Sequence, residues 1–257
     1  MNTARSRAAT RVLITGFGPF PGVPVNASMP LLAELAARAP WLFPGVHLTA
    51  AVIATEWVAA PQRLDRLLAE NRPDVALHFG VSPRARGFEL ELRARNACSA
   101  VPDASGALPP DDKCDADGAE HLPVSLPVRH IAQRLRRLGI PAFLSRDAGA
   151  YLCNAALYHS LRLARGAPRR RVGFIHIPAA LARSARCRPG ACPLGWDAAV
   201  LGALEILAGC LGRPTRNWLA AFPVAGSLSG SGLGLGSGLG LGLGLAHSGA
   251  CPRRTFL

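Results

Sequence analysis

The sequence predicts one three-layer α/β domain in which helices flank both faces of a twisted, largely parallel sheet. Three observations lead to this prediction. Short apolar runs alternate with segments of helical periodicity, and most of the apolar runs stop at Gly or Pro. The chain has 257 residues, which suffices for one sizeable core but not for two once its unusual ends are set aside. A sheet of this kind places functional loops at the carboxyl ends of its strands.

The predicted elements follow one another as strand and helix along most of the chain. Strand-like patterns occur at 11–15, 47–54, 74–80, 88–96, 140–145 and 171–178. Helical spacing occurs at 28–39, 57–71, 126–139, 154–165 and 197–211. Ser28 is the predicted cap of the first helix, with Pro30 in its first turn. The alternating segment 88–96 is predicted to be a more exposed strand than the others.

The ends of the chain and one internal segment differ in composition from the rest. We predict a basic extension at 1–10, the α/β domain at 11–217, and a Gly/Leu/Ser-rich tail at 218–257 without fixed structure. Glycine at every second position of the tail removes much of the hydrophobic gain that a membrane span needs, so no membrane partner is expected. The acidic, Pro-rich segment 101–123 is predicted to be a long loop.

Charge and cysteine content limit the functional classes. The chain has 29 Lys and Arg against 16 Asp and Glu, a net charge of +13. Its arginines are scattered and Lys113 is its only lysine, so a solvated basic surface is predicted and no nucleic-acid partner. Seven cysteines in irregular spacing indicate neither a disulfide framework nor a zinc site. With no secretory pattern near residue 1, we expect a cytoplasmic, reducing environment.

Three residues have side chains suited to nucleophilic catalysis, although each alone has a simpler explanation. Cys153 lies at the start of a predicted helix, where a thiolate is stabilised, but a cysteine on a helix is more often a core residue. His176 lies near the end of an apolar strand, where ordinary hydrogen bonds usually satisfy a histidine. Glu91 could be a solvated carboxylate or the ion-pair partner of Arg93 or Arg95.

Four sequence blocks together resemble the type I pyroglutamyl peptidases. The blocks are VLITGFGPFPGVPVNAS near the amino terminus, HFGVSPRARGFELELRARN around Glu91, the run from DGAEHLPV to AGAYLCN whose last two residues are Cys153 and Asn154, and GFIHIP around His176. They occur in the family's order and cover the chain from about residue 11 to about residue 211. All three candidate residues match the family's catalytic positions.

The resemblance implies a function and a site. It implies a cysteine peptidase that removes an N-terminal pyroglutamyl residue from peptides, with Cys153 as nucleophile, His176 as its base and Glu91 orienting the histidine. It further implies a pocket for the neutral lactam formed by Phe17 and Phe20, to which we add Val101, Tyr151 and Leu152. No metal or organic cofactor is expected, and the family's habit of self-association implies that the chain can form homo-oligomers.

Several positions depart from the family pattern. Pro83, Arg84 and Ala85 replace a glycine-rich GGR, Arg146 and Asp147 replace a common Asn-Thr, and Tyr151 replaces a usual Phe. These departures bear on pocket shape and rate, and they leave the thiol, imidazole and carboxylate in place. They also leave open an alternative, a catalytically silent binding module for a neutral cyclic or peptide ligand.

Overall fold

The computed structural model of the chain describes residues 9–181 and 194–215. The strands in these ranges are β1 (Thr10–Phe17), β2 (Val46–Ile53), β3 (Val75–Ser82), β4 (Phe88–Glu91), β5 (Arg93–Arg95), β6 (His121–Pro123), β7 (Ala142–Ser145) and β8 (Arg171–Pro178). The helices are α1 (Ser28–Leu42), α2 (Ala59–Asn71), α3 (Val128–Arg137), α4 (Leu152–Ala164) and α5 (Trp196–Cys210). The predicted tail at 218–257, nearly all of the 1–10 extension and Cys187, Cys192 and Cys251 lie outside the described residues.

The main sheet has six strands in the order β2-β1-β3-β8-β4-β7. The four strands from β2 to β8 are parallel, whereas β4 pairs antiparallel with β8 and parallel with β7. The prediction of a largely parallel sheet is therefore confirmed, with two strands at one side running in the opposite direction. β5 and β6 form a separate antiparallel pair, so the predicted loop 101–123 ends in a short strand.

Helices cover both faces of the main sheet. Apolar residues of α1, α3 and α5 pack in one core that includes Leu35, Ile131 and Leu204, all fully buried. α2 and α4 pack in a second core that includes Leu64 and Leu157. Burying an aliphatic side chain of this size contributes about 1.5–3 kcal/mol, so both layers stabilise the sheet. None of the described helices has the length and apolar character needed to cross a bilayer.

The structure corrects the expected role of Ser28. Its hydroxyl does not cap α1; it accepts a hydrogen bond from the backbone N–H of Phe17 at 3.0 Å and donates one to Asn26 Oδ1 at 2.8 Å. Ser28 therefore ties the start of α1 to the end of β1. The intervening loop, which carries Phe20, is held at the carboxyl end of the sheet.

The segment 88–96 is also more deeply placed than predicted. It forms two strands in different sheets, β4 within the main sheet and β5 outside it. Phe88 and Leu90 pack in the core on one side of β4, and Glu91 is completely buried on the other side. The alternation indicated two distinct faces correctly, but the charged face points into the protein because it contributes to the site described next.

Candidate active site

Cys153 lies in the first turn of α4. The helix begins at Leu152, before the Asn154 start that sequence spacing predicts, and Tyr151 precedes it in an extended conformation. Backbone N–H groups in a first helical turn have no partner within the helix and point outward at its positive end. The thiol of Cys153 is therefore positioned where a negative charge on sulfur is stabilised.

Asn154 fixes the start of this helix against β5. Its side-chain oxygen accepts the backbone N–H of Arg95 at 2.8 Å, and its amide donates to the carbonyl oxygens of Arg95 at 2.7 Å and Ala97 at 2.9 Å. These three bonds satisfy the buried amide of Asn154 and tie the start of α4, with the adjacent Cys153, to the end of β5. Sequence analysis placed Asn154 beside the nucleophile but did not assign it this role.

His176 and Glu91 form a buried hydrogen-bonded pair. His176 Nδ1 lies 2.8 Å from Glu91 Oε1, and the side chains are 8% and 0% exposed. β8 and β4 are antiparallel neighbours, which places the two residues on the same face of the sheet. Because Nδ1 is directed at the carboxylate, Nε2 is the nitrogen left for Cys153, whose side chain is hydrogen-bonded to the imidazole.

The surroundings of His176 favour its charged form. Burial alone lowers the pKa of an imidazole, but the negative charge and hydrogen bond of Cys153, followed by the hydrogen bond and charge of Glu91, outweigh burial and raise the pKa of His176 to about 10. A charged imidazole next to a cysteine sulfur is the arrangement in which a histidine can take up and return a proton during nucleophilic chemistry.

Gly80 in β3 lets the sulfur approach the sheet. A Cβ atom at this position would lie 2.9 Å from Cys153 Sγ and 2.7 Å from Cζ of Phe174. Phe174 is fully buried and its ring lies 4.8 Å from the His176 ring, centroid to centroid. The floor beneath the thiol is therefore a backbone surface with no space for a side chain.

A cavity of about 640 Å³ opens above Cys153 and His176. Four of the five predicted pocket residues line it: Phe17, Phe20, Tyr151 and Leu152. The rings of Phe20 and Tyr151 are 6.0 Å apart, so aromatic surface forms one end of the cavity. A lactam ring, which is neutral and partly apolar, matches such a surface.

Val101 is the predicted pocket residue that does not line this cavity, and its side chain is 48% exposed. Its carbonyl oxygen accepts a hydrogen bond from Trp57 Nε1 at 3.0 Å, and the Trp57 ring packs edge-on against Tyr151 with centroids 5.2 Å apart. Val101 therefore contributes to the aromatic end indirectly: its backbone carbonyl holds Trp57, and Trp57 packs against Tyr151.

Sequence reasoning missed several polar residues that line the cavity, among them Asn26, Thr55 and Glu89. Asn26 and Thr55 both donate hydrogen bonds to the carbonyl oxygen of Gly18, at 3.1 and 3.0 Å, and so hold the loop that presents Phe20. Glu89 projects from β4 beside His176, its partner in the sheet register. Their signal in the sequence was weak, since single polar residues next to apolar runs are common on protein surfaces.

Glu89, Glu91 and His176 are also the described residues that could together hold a metal ion. One ligand atom from each lies within 4.8 Å of the others. Two of the three, however, already bond to each other, and ligation through Nδ1 would break the bond that orients the imidazole. The two carboxylates are therefore better placed to stabilise a positive charge on the His176 imidazole than to share a metal ion with it.

Comparisons with known proteins agree with this geometry. The pyroglutamyl peptidase family model matches residues 10–202. A pyrrolidone-carboxylate peptidase of Chromobacterium violaceum is 36% identical over 187 residues, which cover 72% of this chain and 85% of that protein. The corresponding protein of Pyrococcus furiosus is 32% identical over 176 residues, covering 65% and 80%.

Solved structures show the same fold. A mutant pyrrolidone carboxyl peptidase from Pyrococcus furiosus superposes with a TM-score of 0.69 at 27% identity, covering 79% of this chain and 99% of that one. Pyroglutamyl peptidase I from Bacillus amyloliquefaciens gives 0.68 at 28% identity, covering 78% and 96%. Sequence match, fold and a cysteine beside a histidine thus lead to one conclusion: the chain belongs to the pyroglutamyl peptidase family of cysteine peptidases.

Proposed function

We propose that the chain removes an N-terminal pyroglutamyl residue from peptides with Cys153, His176 and Glu91 as its catalytic triad. The observation that carries the proposal is the chain of contacts from the Cys153 thiol to the His176 imidazole and on to the buried Glu91 carboxylate. Each member has the environment that its role requires: a helix start, a strand end beside the nucleophile, and complete burial.

The first half of the reaction forms a thioester. The Cys153 thiolate attacks the carbonyl carbon that joins pyroglutamate to the next residue, and the carbonyl π electrons move onto oxygen. Backbone N–H groups in the first turn of α4 stabilise this oxyanion. As the tetrahedral intermediate collapses, the C–N bond breaks and His176 gives its proton to the departing nitrogen.

The second half releases pyroglutamate. His176, now neutral, removes a proton from water, and the hydroxide attacks the thioester carbon. The C–S bond breaks, so the Cys153 thiolate and the His176 imidazolium are restored. Glu91 holds the Nδ1 proton throughout and stabilises each imidazolium. Phe17, Phe20, Tyr151 and Leu152 hold the lactam ring, and Val101 acts through Trp57.

The substrate class follows from the shape and charge of the aromatic end. Pyroglutamate has no ammonium group, because its α-nitrogen is closed into the lactam, so an aminopeptidase-like carboxylate anchor would be left unpaired. The described residues at this end are aromatic, aliphatic or neutral polar. A peptide with a free amino terminus would have to bury its charge there without a partner.

Hydrolysis of a pyroglutamyl amide reporter by the purified full-length chain under reducing conditions tests the proposal. We expect turnover by the wild type, loss of nearly all activity in Cys153→Ser, and most activity retained in Cys98→Ser, whose thiol contacts Cys114 instead of a histidine. Iodoacetamide should label Cys153 in competition with the reporter. Pyroglutamyl ligand binding without turnover would identify a silent binding module, and retained activity in Cys153→Ser would exclude this mechanism.

The same proposal extends to the setting and boundaries of the enzyme. We assign catalysis to residues 11–217 and place the enzyme in a reducing cytoplasm. The family resemblance also implies that the chain can form homo-oligomers. The four described cysteines Cys98, Cys114, Cys153 and Cys210 are free thiols, in line with a reducing setting. Truncation after residue 217 should leave melting temperature and reporter turnover unchanged; a large loss of either would assign a structural role to the tail.

A further inference from the structure

The cavity extends beyond the aromatic end in a direction set by the order of the strands. Phe17 belongs to β1, His176 to β8, Glu89 to β4 and Phe143 to β7, and these strands lie in that order across the sheet. Cys153 lies above β3 and β8, between the two ends. We call the part formed by Glu89, Phe143 and Asp147 the acidic end.

The chemistry assigns the two ends to the two halves of the substrate. The lactam occupies the aromatic end, and the attacked carbonyl lies at the Cys153 sulfur. His176 must reach the departing nitrogen to protonate it, so that nitrogen lies on the His176 side of the carbonyl. The peptide that follows pyroglutamate therefore continues over His176 toward β4 and β7, which is the acidic end.

Glu89 is the carboxylate that this part of the peptide meets first. It pairs with His176 on one side and with Phe143 on the other in the strand register. Glu89 is about half buried, and the part of the chain that the structure describes offers its carboxylate neither a hydrogen bond nor an ion pair. Burial, together with the nearby charge of Glu91, raises the pKa of Glu89 despite the opposing effect of His176.

The other charged groups at this end are less available or more solvated. Asp147 is exposed, and its carboxylate already accepts the backbone N–H of Gly149 at 3.0 Å. Arg84 lines the cavity but is exposed, so water and salt screen its charge. His176 is engaged by Glu91 and Cys153. Among the described residues of the acidic end, an incoming cation would thus find one partly buried carboxylate without a hydrogen-bond or ion-pair partner, that of Glu89.

We propose that Glu89 and Phe143 form the subsite for the residue that follows pyroglutamate and that this subsite favours a cationic side chain, Arg or Lys. The inference rests on the proposed function. The Phe143 ring, whose side chain is 47% exposed, offers a face for the aliphatic stem or the guanidinium plane. Glu89 then supplies a charge-assisted hydrogen bond to the cationic end.

The test compares pyroglutamyl-arginine amide with pyroglutamyl-citrulline amide, which has nearly the same shape without the charge. Both are hydrolysed in one tube by the full-length chain, and mass spectrometry of the two products gives the ratio of kcat/KM values. This ratio does not depend on the concentration of active enzyme. A partly screened ion pair leads us to expect about a three- to fivefold preference for arginine in the wild type.

Variants locate the source of the preference. Glu89→Gln should bring the ratio close to one, and Glu89→Asp should restore part of it. Glu70→Gln, on the exposed face of α2, removes the same unit of charge far from the cavity and should leave the ratio unchanged. A ratio near one in the wild type, or a preference that survives Glu89→Gln or disappears instead in Asp147→Asn, would overturn the proposal.

The pH dependence of the arginine preference provides a second test of the proposal. Because the pKa of Glu89 is raised, its carboxylate becomes neutral at a higher pH than an ordinary glutamate, so the arginine preference should fall as the pH is lowered. Both substrates react at the same thiol with the same leaving nitrogen, so effects of pH on the bond-breaking steps are largely common to the two and mostly divide out of the ratio. A preference independent of pH and salt would contradict the assignment to Glu89. If the wild type hydrolyses neither substrate, the proposed function itself fails.

Discussion

Two buried histidines on neighbouring strands show how the same side chain becomes neutral in one place and charged in another. His78 in β3 is fully buried, and His176 in β8 is 7% exposed. In the parallel register His78 pairs with Phe174 and Gly80 pairs with His176. The two histidines are therefore offset by two residues along the strands and lie on the same face of the sheet. The depth of burial alone therefore does not explain why the pKa values of the two histidines differ.

Their partners do explain this difference. His78 Nδ1 lies 2.7 Å from the hydroxyl of Thr15, and its Nε2 has no hydrogen-bond partner among the described residues. Burial, aided by the positive charge of His159, lowers the pKa of His78 to about 4. Burial lowers the pKa of His176 too, but its interactions with Cys153 and Glu91 outweigh burial and raise that pKa to about 10. A charged base in this core thus depends on two anionic neighbours.

The largest expected effect comes from removing one histidine or the other. His176→Ala should lower kcat/KM for a pyroglutamyl reporter by about 10²- to 10⁴-fold, because the proposed mechanism uses this imidazole in both proton transfers. His78→Asn, which keeps a polar atom near Thr15, should cost less than about fivefold. Steady-state kinetics of the two purified variants decide the comparison, and equal losses would show that His176 has no special role.

The next largest effect isolates the carboxylate. Glu91→Gln should leave a reduced but measurable rate, about 10²-fold below wild type, because the amide still contacts Nδ1 but no longer stabilises the imidazolium. The pKa of His176 should fall, so the alkaline limb of the pH profile of kcat/KM should move to lower pH. A fully active Glu91→Gln with an unchanged profile would remove Glu91 from the triad.

Opposite pKa shifts predict opposite effects of pH on folding stability. His78 binds a proton more readily when unfolded, so its contribution destabilises the fold as pH falls from 6.5 toward 4. His176 binds its proton more tightly when folded, so its contribution is complete below pH 6.5 and is lost as pH rises toward 10. Urea unfolding across pH should show a shallower acid loss in His78→Asn and a shallower alkaline loss in His176→Gln.

The smallest effect concerns the neutral histidine alone. Thr15→Val removes the hydroxyl that contacts His78. Both ring nitrogens of this fully buried histidine would then lack a partner among residues 9–181 and 194–215. The expected cost is about 1–3 kcal/mol of unfolding free energy with unchanged turnover per folded molecule. Thermal melting and active-site titration measure the two quantities, and a loss of turnover would link His78 to the reaction.

Local patterns predicted the helices and most strands because each depends on signals close in sequence. Apolar runs ending at glycine gave β1 and β3, and the four family blocks gave Cys153, His176 and Glu91. The contact between His176 and Glu91 joins residues 85 positions apart and requires the antiparallel pairing of β4 with β8. The hydrophobic pattern of a strand does not reveal whether it runs parallel or antiparallel to its neighbour, so the contact between His176 and Glu91 could not be predicted from the sequence.

The errors share one physical cause, since tertiary contacts replaced the local ones that sequence patterns assume. Serine is a common residue type at helix N-caps, but the Ser28 hydroxyl accepts its hydrogen bond from Phe17 at the end of β1. The charges of Glu89 and Glu91 suggested exposure, yet one lines the cavity and the other is buried beside His176. Val101 belongs to a loop whose path depends on Trp57 and Tyr151, which no local spacing encodes.

The close approach of the thiol to Gly80 bears on how this sequence can vary. A methyl group there would overlap both Cys153 Sγ and the ring of Phe174, which is fully buried in a close-packed core. Substitution at this position would displace the nucleophile even where the fold survives. In a growth selection that depends on pyroglutamyl peptides as a nutrient, codon 80 should therefore accept glycine alone, while neighbouring Val81 tolerates other aliphatic side chains.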